Sequence, residues 1–246
     1  MLFSYKRMLK PFDVIGEDDE IGSVSDLYFD EHSWTVRYIV VEGGWLKGET
    51  RFLSPASIKS FTIEEERLHV DVTKEQAKDS PAPEDEPMTR KFERQFSRFY
   101  GLNPYWMGAG LWGSGAVPRD LSQGETETVE DLQEEETNII SVKDLVGYEI
   151  STGDESFGKV KDILVEEDSF KVRYFVVDTN RWLPGGKEVL ISTEWILDVN
   201  WPQSIVSVDL KKEAVEEAPE YTEGMTLDRD METSVFNHYG KPKYWD

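Results

Sequence analysis

The sequence predicts a mainly β protein, two small barrels in tandem, each followed by a short helix and an aromatic tail. Three observations predict it: an internal repeat, short β-branched and aromatic runs between polar turns, and a composition able to bury a core. Gly22-Ser-Val24-Ser-Asp26 aligns with Gly158-Lys-Val160-Lys-Asp162, and Val36-Arg37-Tyr38-Ile-Val40-Val41 with Val172-Arg173-Tyr174-Phe-Val176-Val177, without a gap between the blocks. Self-similarity of this kind marks a duplicated architecture. Past Glu42, after single-residue insertions, Trp45-Leu46 meets Trp182-Leu183, Ser54 meets Ser192 and Pro81 meets Pro219. The match resumes in the tails, where Tyr100-Gly101 and Tyr105-Trp106 correspond to Tyr239-Gly240 and Tyr244-Trp245. The repeated unit therefore includes its tail.

Within each copy the strands follow from residue type. Gly22 to Asp30 and Trp34 to Val41 flank the polar Glu31-His32-Ser33, the pattern of a hairpin. Gly158 to Glu166 and Phe170 to Val177 flank Glu167-Asp168-Ser169 in the same way. Phe52-Leu53, Ile58 to Ile63 and Leu68 to Val72 add short strands, and Ser54 to Ser57 a helical turn. Short strands at regular spacing favour a compact barrel or small sandwich. A period of two puts Trp34, Val36, Tyr38 and Val40 on one face of their strand and Thr35, Arg37, Ile39 and Val41 on the other. Both faces are largely apolar, so one is expected to fill a barrel and the other to pack on something else, with packing between the two barrels as the natural candidate.

Residues 1–78 make the first barrel domain. Residues 79–112 hold a Pro-rich linker, an amphipathic helix and the first tail. Residues 113–140 read as an acidic flexible linker, because the carboxylates of Glu125 to Glu136 repel one another. Residues 141–216 make the second barrel domain and 217–246 its helix and tail. From Met88 to Tyr100, Phe92, Phe96, Phe99 and Tyr100 fall on one helical face, with Arg90, Lys91, Arg94 and Arg98 nearby. Such a helix can pack on its own protein or lie on an anionic surface. The glycine-containing run from Pro104 to Pro118 reads as a flexible connector.

The chain has 246 residues, 38% of them hydrophobic and 31% charged, which is the composition of a globular chain of one large or two small domains. A formal net charge of −23 opposes binding to nucleic acid, since such binding depends on Lys and Arg displacing counterions from phosphates. The absence of Cys excludes disulfides and thiolate chemistry. No run approaches the ~18 apolar residues of a membrane span, and Met1 to Arg7 lacks the apolar stretch of a secretion signal. A cytoplasmic location is the expectation.

Few residues suggest chemistry. His32, His69 and His238 are scattered and hold no metal-ligand spacing. No phosphate loop, nucleophile elbow or Ser/His/Asp arrangement stands out. The acidic turn Glu17-Asp18-Asp19-Glu20, echoed at Asp154-Glu155, lacks the periodicity of a calcium loop. The expectation is a protein that is not an enzyme and holds neither cofactor nor metal. Two groups of residues are singled out. Phe92, Phe96, Tyr100, Gly101, Tyr105 and Trp106, with Tyr239, Gly240, Tyr244 and Trp245, are candidate docking or interaction residues, since exposed aromatic ends are costly. Asp26 with Arg37, and Asp162 with Arg173, are expected as cross-strand ion pairs if the hairpin centres between Glu31 and His32.

The Gly-x-Val-x-Asp strand, the turn, and the Val-Arg-Tyr-x-Val-Val strand before a helical turn resemble the PRC-barrel family. That family includes the cytoplasmic domain of the photosynthetic reaction centre H subunit and the C-terminal domain of the ribosome maturation factor. The resemblance covers about residues 5–78 and 141–216, and the tails look like those of bacterial tandem PRC-barrel proteins labelled reaction-centre H-like. It implies the barrel fold and an assembly or adaptor role. Three functions follow as expectations. The first is a non-enzymatic interaction or scaffold protein serving a protein partner. The second is an accessory subunit of a photosynthetic or other membrane electron-transport complex, peripheral to the inner face of the membrane. The third is a small-ligand or cation-binding protein.

Overall fold

The structure, a computed structural model, describes residues 1–9, 12–43, 50–62, 65–82, 88–121, 136–153, 155–225 and 227–246. The Trp45-Leu46 match, most of the Pro-rich linker, the acidic run from Glu125 to Glu135 and Asp154 lie outside these residues.

Among the described residues, each repeat has seven strands and three short α-helices. The first contains β1 (Leu2–Ser4), α1 (Tyr5–Leu9), β2 (Asp13–Ile15), β3 (Glu20–Asp30), β4 (Thr35–Gly43), β5 (Thr50–Leu53), a 3-10 turn (Pro55–Ser57), β6 (Ile58–Thr62), β7 (Arg67–Val70), α2 (Lys74–Asp79) and α3 (Arg90–Phe99). The second contains β8 (Ile139–Ser141), α4 (Val142–Leu145), β9 (Glu149–Thr152), β10 (Glu155–Glu166), β11 (Val172–Asp178), β12 (Glu188–Ser192), a 3-10 turn (Thr193–Trp195), β13 (Ile196–Asn200), β14 (Ile205–Val208), α5 (Lys212–Glu216) and α6 (Arg229–Tyr239). The sheets run β5-β4-β3-β2-β7-β6 and β12-β11-β10-β9-β14-β13. All ladders are antiparallel except β2 on β7 and β9 on β14. Among the described residues, neither path closes by hydrogen bonds between its two end strands.

The compact units are not contiguous in sequence. The first consists of Arg7–Lys143 and Asp168–Lys171, the second of Met1–Lys6, Asp144–Glu167 and Val172–Asp246. Each sheet thus takes its seventh strand from the other repeat: β1 pairs with β10, and β8 pairs with β3. Ile139 and Ile140, expected in a flexible linker, are part of that strand. They are apolar residues beyond the carboxylate run, and Ile139 is buried.

In the first unit, bulges decide which side chains face where. Asp30 lies opposite Thr35, so four residues form the turn, and Trp34 takes a positive φ of 52°. Tyr28 then pairs with Tyr38 and Phe29 with Val36, leaving Arg37 as the extra residue. A bulge interrupts the strict alternation of a strand and re-aims the side chain it adds. Directly opposed residues share a face, so Val36, Ile39 and Val41 lie with Leu27 and Phe29 on the inner face, all buried. Val36 was expected beside Tyr38 and is not, because the extra residue at Arg37 shifts the phase. Tyr38 and Val40 lie on the outer face and pack with Phe52, Met88, Phe92, Phe96 and Ile139. The cover for the outer face of β4 is therefore the helix of its own repeat.

The second unit has the same irregularities. Leu164 pairs with Tyr174 and Val165 with Val172, so Arg173 is the extra residue. Its inner residues Ile163, Val165, Val172, Phe175 and Val177 are buried, and Tyr174 packs with Phe236 of α6, ring centroids 6.4 Å apart. Fully burying one such side chain contributes about 1.5–3 kcal/mol, which is why a three-turn helix stays docked on each sheet.

Candidate functional site

The helices that cover the sheets begin and end alike. Thr89 Oγ1 accepts from Phe92 N (3.2 Å) at the start of α3, and Asp228 Oδ1 accepts from Met231 N (2.9 Å) at the start of α6. These side chains satisfy a first-turn amide that has no partner inside the helix. Gly101 and Gly240 follow the helices at φ of 65° and 63°. The next amide bonds backward in both, Leu102 N to Ser97 O (2.8 Å) and Lys241 N to Phe236 O (3.1 Å). This left-handed ending suits glycine, and it turns each tail back along its helix.

The returning tails meet a buried carboxylate. In the first unit Glu93 Oε1 accepts from Tyr105 Oη (2.7 Å) and from Tyr38 Oη (3.0 Å), while Oε2 pairs with Arg90 Nη1 (2.7 Å). In the second, Glu232 Oε1 accepts from Tyr244 Oη (2.7 Å) and Tyr174 Oη (2.8 Å), while Oε2 pairs with Arg229 Nη1 (2.9 Å). One strand tyrosine, one helix glutamate and one tail tyrosine thus form the same closed link twice. Arginines cover both ends of it. The bulged Arg37 lies 3.9 Å above the Tyr105 ring and Arg173 lies 4.0 Å above the Tyr244 ring. Arg90 stacks on Trp106 at 4.3 Å and Arg229 on Trp245 at 4.2 Å. Such contacts are worth about 0.5–2 kcal/mol, more where water is excluded.

Burial sets the electrostatics. Loss of hydration raises the Glu93 pKa above the usual glutamate value, against the opposing pull of Arg90 and the two phenols. Burial, with the Glu93 charge beside them, pushes the Tyr38 and Tyr105 phenols well above their ordinary range. The Tyr244 phenol is pushed up to about 12 by burial and by Glu232. Burial also lowers Arg37, against support from Tyr105 and Asp30. The phenols stay protonated as donors.

All ten aromatic and glycine residues singled out in the sequence are gathered at these two links. Phe92, Phe96 and Tyr100 line the underside of α3, with Phe96 and Tyr100 ring centroids 4.8 Å apart. Tyr239 packs on Trp195 at 4.9 Å. Phe99, expected on the same face, is 41% exposed. The run from Pro104 to Pro118, expected to be a flexible connector, is ordered instead. Trp112 is buried, donates from Nε1 to Ser169 O (2.8 Å) and covers Arg37 from 4.8 Å, while Arg37 Nη1 donates to Leu111 O.

The expected pairs Asp26–Arg37 and Asp162–Arg173 are not formed. Arg37 pairs with Asp30 (3.5 Å) and Arg173 with Glu166 (2.7 Å). The cause is register: the four-residue turn and the bulge at Arg37 set Asp26 opposite Val40, and the corresponding turn and the bulge at Arg173 set Asp162 opposite Val176. Glu93, Glu232, Arg90 and Arg229 were missed. The offset that aligns Tyr100 with Tyr239 also aligns both Arg-x-x-Glu pairs, a signal that was available. In the acidic turn, Asp19 pairs with Lys74 Nζ (2.8 Å) and Glu17 with Lys59 Nζ (2.6 Å). Among the described residues no cluster of His, Asp or Glu is arranged to hold a metal.

The barrel part of each repeat coincides with a family match. A model described as the PRC-barrel domain matches residues 2–77 and 137–215. Both matches begin at the exchanged strands and stop before α3 and α6, so the tyrosine–glutamate links lie outside them. No curated protein matches the chain. The two matches together span more than half of the sequence, and the chain belongs to the PRC-barrel domain family.

Proposed function

We propose that the chain is a non-enzymatic interaction protein, a scaffold made of two PRC-barrels whose tails are clamped in place. One observation carries this reading. In both units the buried helix carboxylate is taken up by groups of its own unit, Glu93 by Tyr38, Tyr105 and Arg90, and Glu232 by Tyr174, Tyr244 and Arg229. A carboxylate so engaged has no face turned to a substrate, and a general acid or base must reach one. What is left for a partner is surface.

The test is reciprocal affinity capture from the native cell, with the intact chain and then the captured protein as bait, followed by mass spectrometry. A partner recovered in both directions supports the scaffold. A chain that enriches nothing, or that turns over a small molecule stoichiometrically recovered with it, overturns the reading. A second reading, attachment to an anionic membrane complex, draws on the exposed side of α3, where Lys91 and Arg98 flank the 41% exposed Phe99. Recovery of the partner only from the membrane fraction would favour it.

A further inference from the structure

Each repeat opens with a three-residue strand that has no place in its own sheet. Leu2, Phe3 and Ser4 lie opposite Glu166, Val165 and Leu164, and Ile139, Ile140 and Ser141 lie opposite Asp30, Phe29 and Tyr28. The receiving edge is the same in both. β2 occupies the near end of the β3 edge through Glu20, Gly22 and Ser23, and β9 the near end of β10 from Glu155 to Lys159. The far end would otherwise be an open edge, and open edges are templates for an added strand.

The serine that ends each leading strand meets a buried carboxylate. Ser141 Oγ donates to Asp26 Oδ2 (2.5 Å), and Ser4 Oγ donates to Asp162 Oδ2. Lys6 N adds a second donor to Asp162, at Oδ1 (3.1 Å). Both aspartates are nearly buried, at 4% and 6% exposure. Both follow a bulge, at Ser25 and Lys161, and each holds the amide that succeeds it, Leu27 N and Ile163 N at 2.8 Å. This is the aspartate of the repeated Gly-x-Val-x-Asp block, so its role in the fold is to receive a strand.

We infer that the far edge of β3 and of β10 is a strand-docking site for the leading strand of the opposite repeat, a short apolar-apolar-serine segment, with the buried aspartate reading the serine. The reciprocal exchange makes the halves of the chain interdependent: cutting the connecting segment leaves each unit assembled from both pieces.

The test uses the full chain with a protease site placed within residues 122–135, folded first and cut afterwards. The halves should co-elute in gel filtration at the mass of the uncut chain and separate in denaturant. Halves that elute apart after native cutting overturn the inference. The reading of the serine is tested on the cut S4A/S141A double variant, its uncut form checked by circular dichroism. Losing two hydrogen bonds to carboxylates should weaken association of the halves at least about tenfold. A cut double variant that dissociates at the same urea concentration as the cut parent overturns the role of the aspartates.

Discussion

The two links hold the same polar atoms in place while the apolar support beneath each helix is drawn from different positions. In the first unit the apolar support comes from Phe92 and Phe96 of α3 and from Phe52 of β5. In the second, the matching positions on helix and strand are Met231, Val235 and Leu190, and the rings have moved to Phe236 and to Trp195 in the 3-10 turn, 5.0 Å apart. Hydrogen-bond partners tolerate little displacement, whereas apolar volume can be redistributed if the total is kept. A duplicated module can therefore rewrite its core and leave its polar link unaltered. The arginines show the intermediate case. Arg37 lies between Tyr105 and Trp112 with Asp30 at 3.5 Å, while Arg173 has Tyr244 and a closer Glu166 at 2.7 Å.

Removing the carboxylate should have the largest effect and should separate the two links. Glu93→Ala leaves two buried phenols without an acceptor and Arg90 without its counter-charge, a loss of about 3 kcal/mol in urea unfolding. Glu232→Ala should lose less, about 2 kcal/mol, because Arg229 is 53% exposed where Arg90 is 26% exposed. Equal losses would mean that exposure of the arginine does not matter.

Tyr105→Phe and Tyr244→Phe come next, each deleting one hydrogen bond to a carboxylate while keeping the ring, at about 1.5 kcal/mol. The expected costs are alike because both bonds are 2.7 Å. A loss confined to one variant would show that the links are not equivalent. Gly101→Ala and Gly240→Ala should each cost about 1 kcal/mol. An added Cβ meets nothing within 4 Å at either position, so the positive φ alone is responsible. Thermal melts that do not change would remove the left-handed turn from the account of tail docking.

The smallest effect is a pH dependence at the first link. Burial raises the Glu93 pKa in the folded state, so the folded chain holds its proton over a range where the unfolded chain has released it. Its contribution is fully present below the ordinary glutamate value of 4.5 and is lost as pH rises through the folded value. Asp162 is raised too, so the measurement is a difference: stability against pH for the parent minus that for Glu93→Gln. A difference that is flat across this window would contradict the raised value.

Much of the fold was legible because duplication confirms each strand twice. The paired blocks around Gly22 and Gly158 fall within β3 and β10, and the blocks from Val36 and Val172 within β4 and β11. The leading strands were not legible. Three residues such as Leu2-Phe3-Ser4 show no periodicity, and their partners lie in the other repeat. Bulges were equally hidden: Arg37 looks like any strand residue until its neighbours are paired, and this defeated the expected bond to Asp26. α2 carried a readable signal, the Thr73 and Gln76 capping box, at the end of the first barrel domain where no helix was expected. Glu93 was unreadable by composition, since a charge on a basic helix looks solvated until a tail is seen to return to it.

The exchanged strands also bear on the order in which the chain can fold during synthesis. Leu2–Ser4 are made well before their partners Leu164–Glu166, which appear some 160 residues later, on the order of ten seconds at ordinary elongation rates. The first unit likewise waits for Ile139–Ser141 and for Asp168–Lys171 before it is complete. The unit encoded first is therefore complete only once residue 171 has emerged, and the second, which takes β11 to α6 from Val172–Asp246, later still. A chain released before that point would present two unfinished sheets at once.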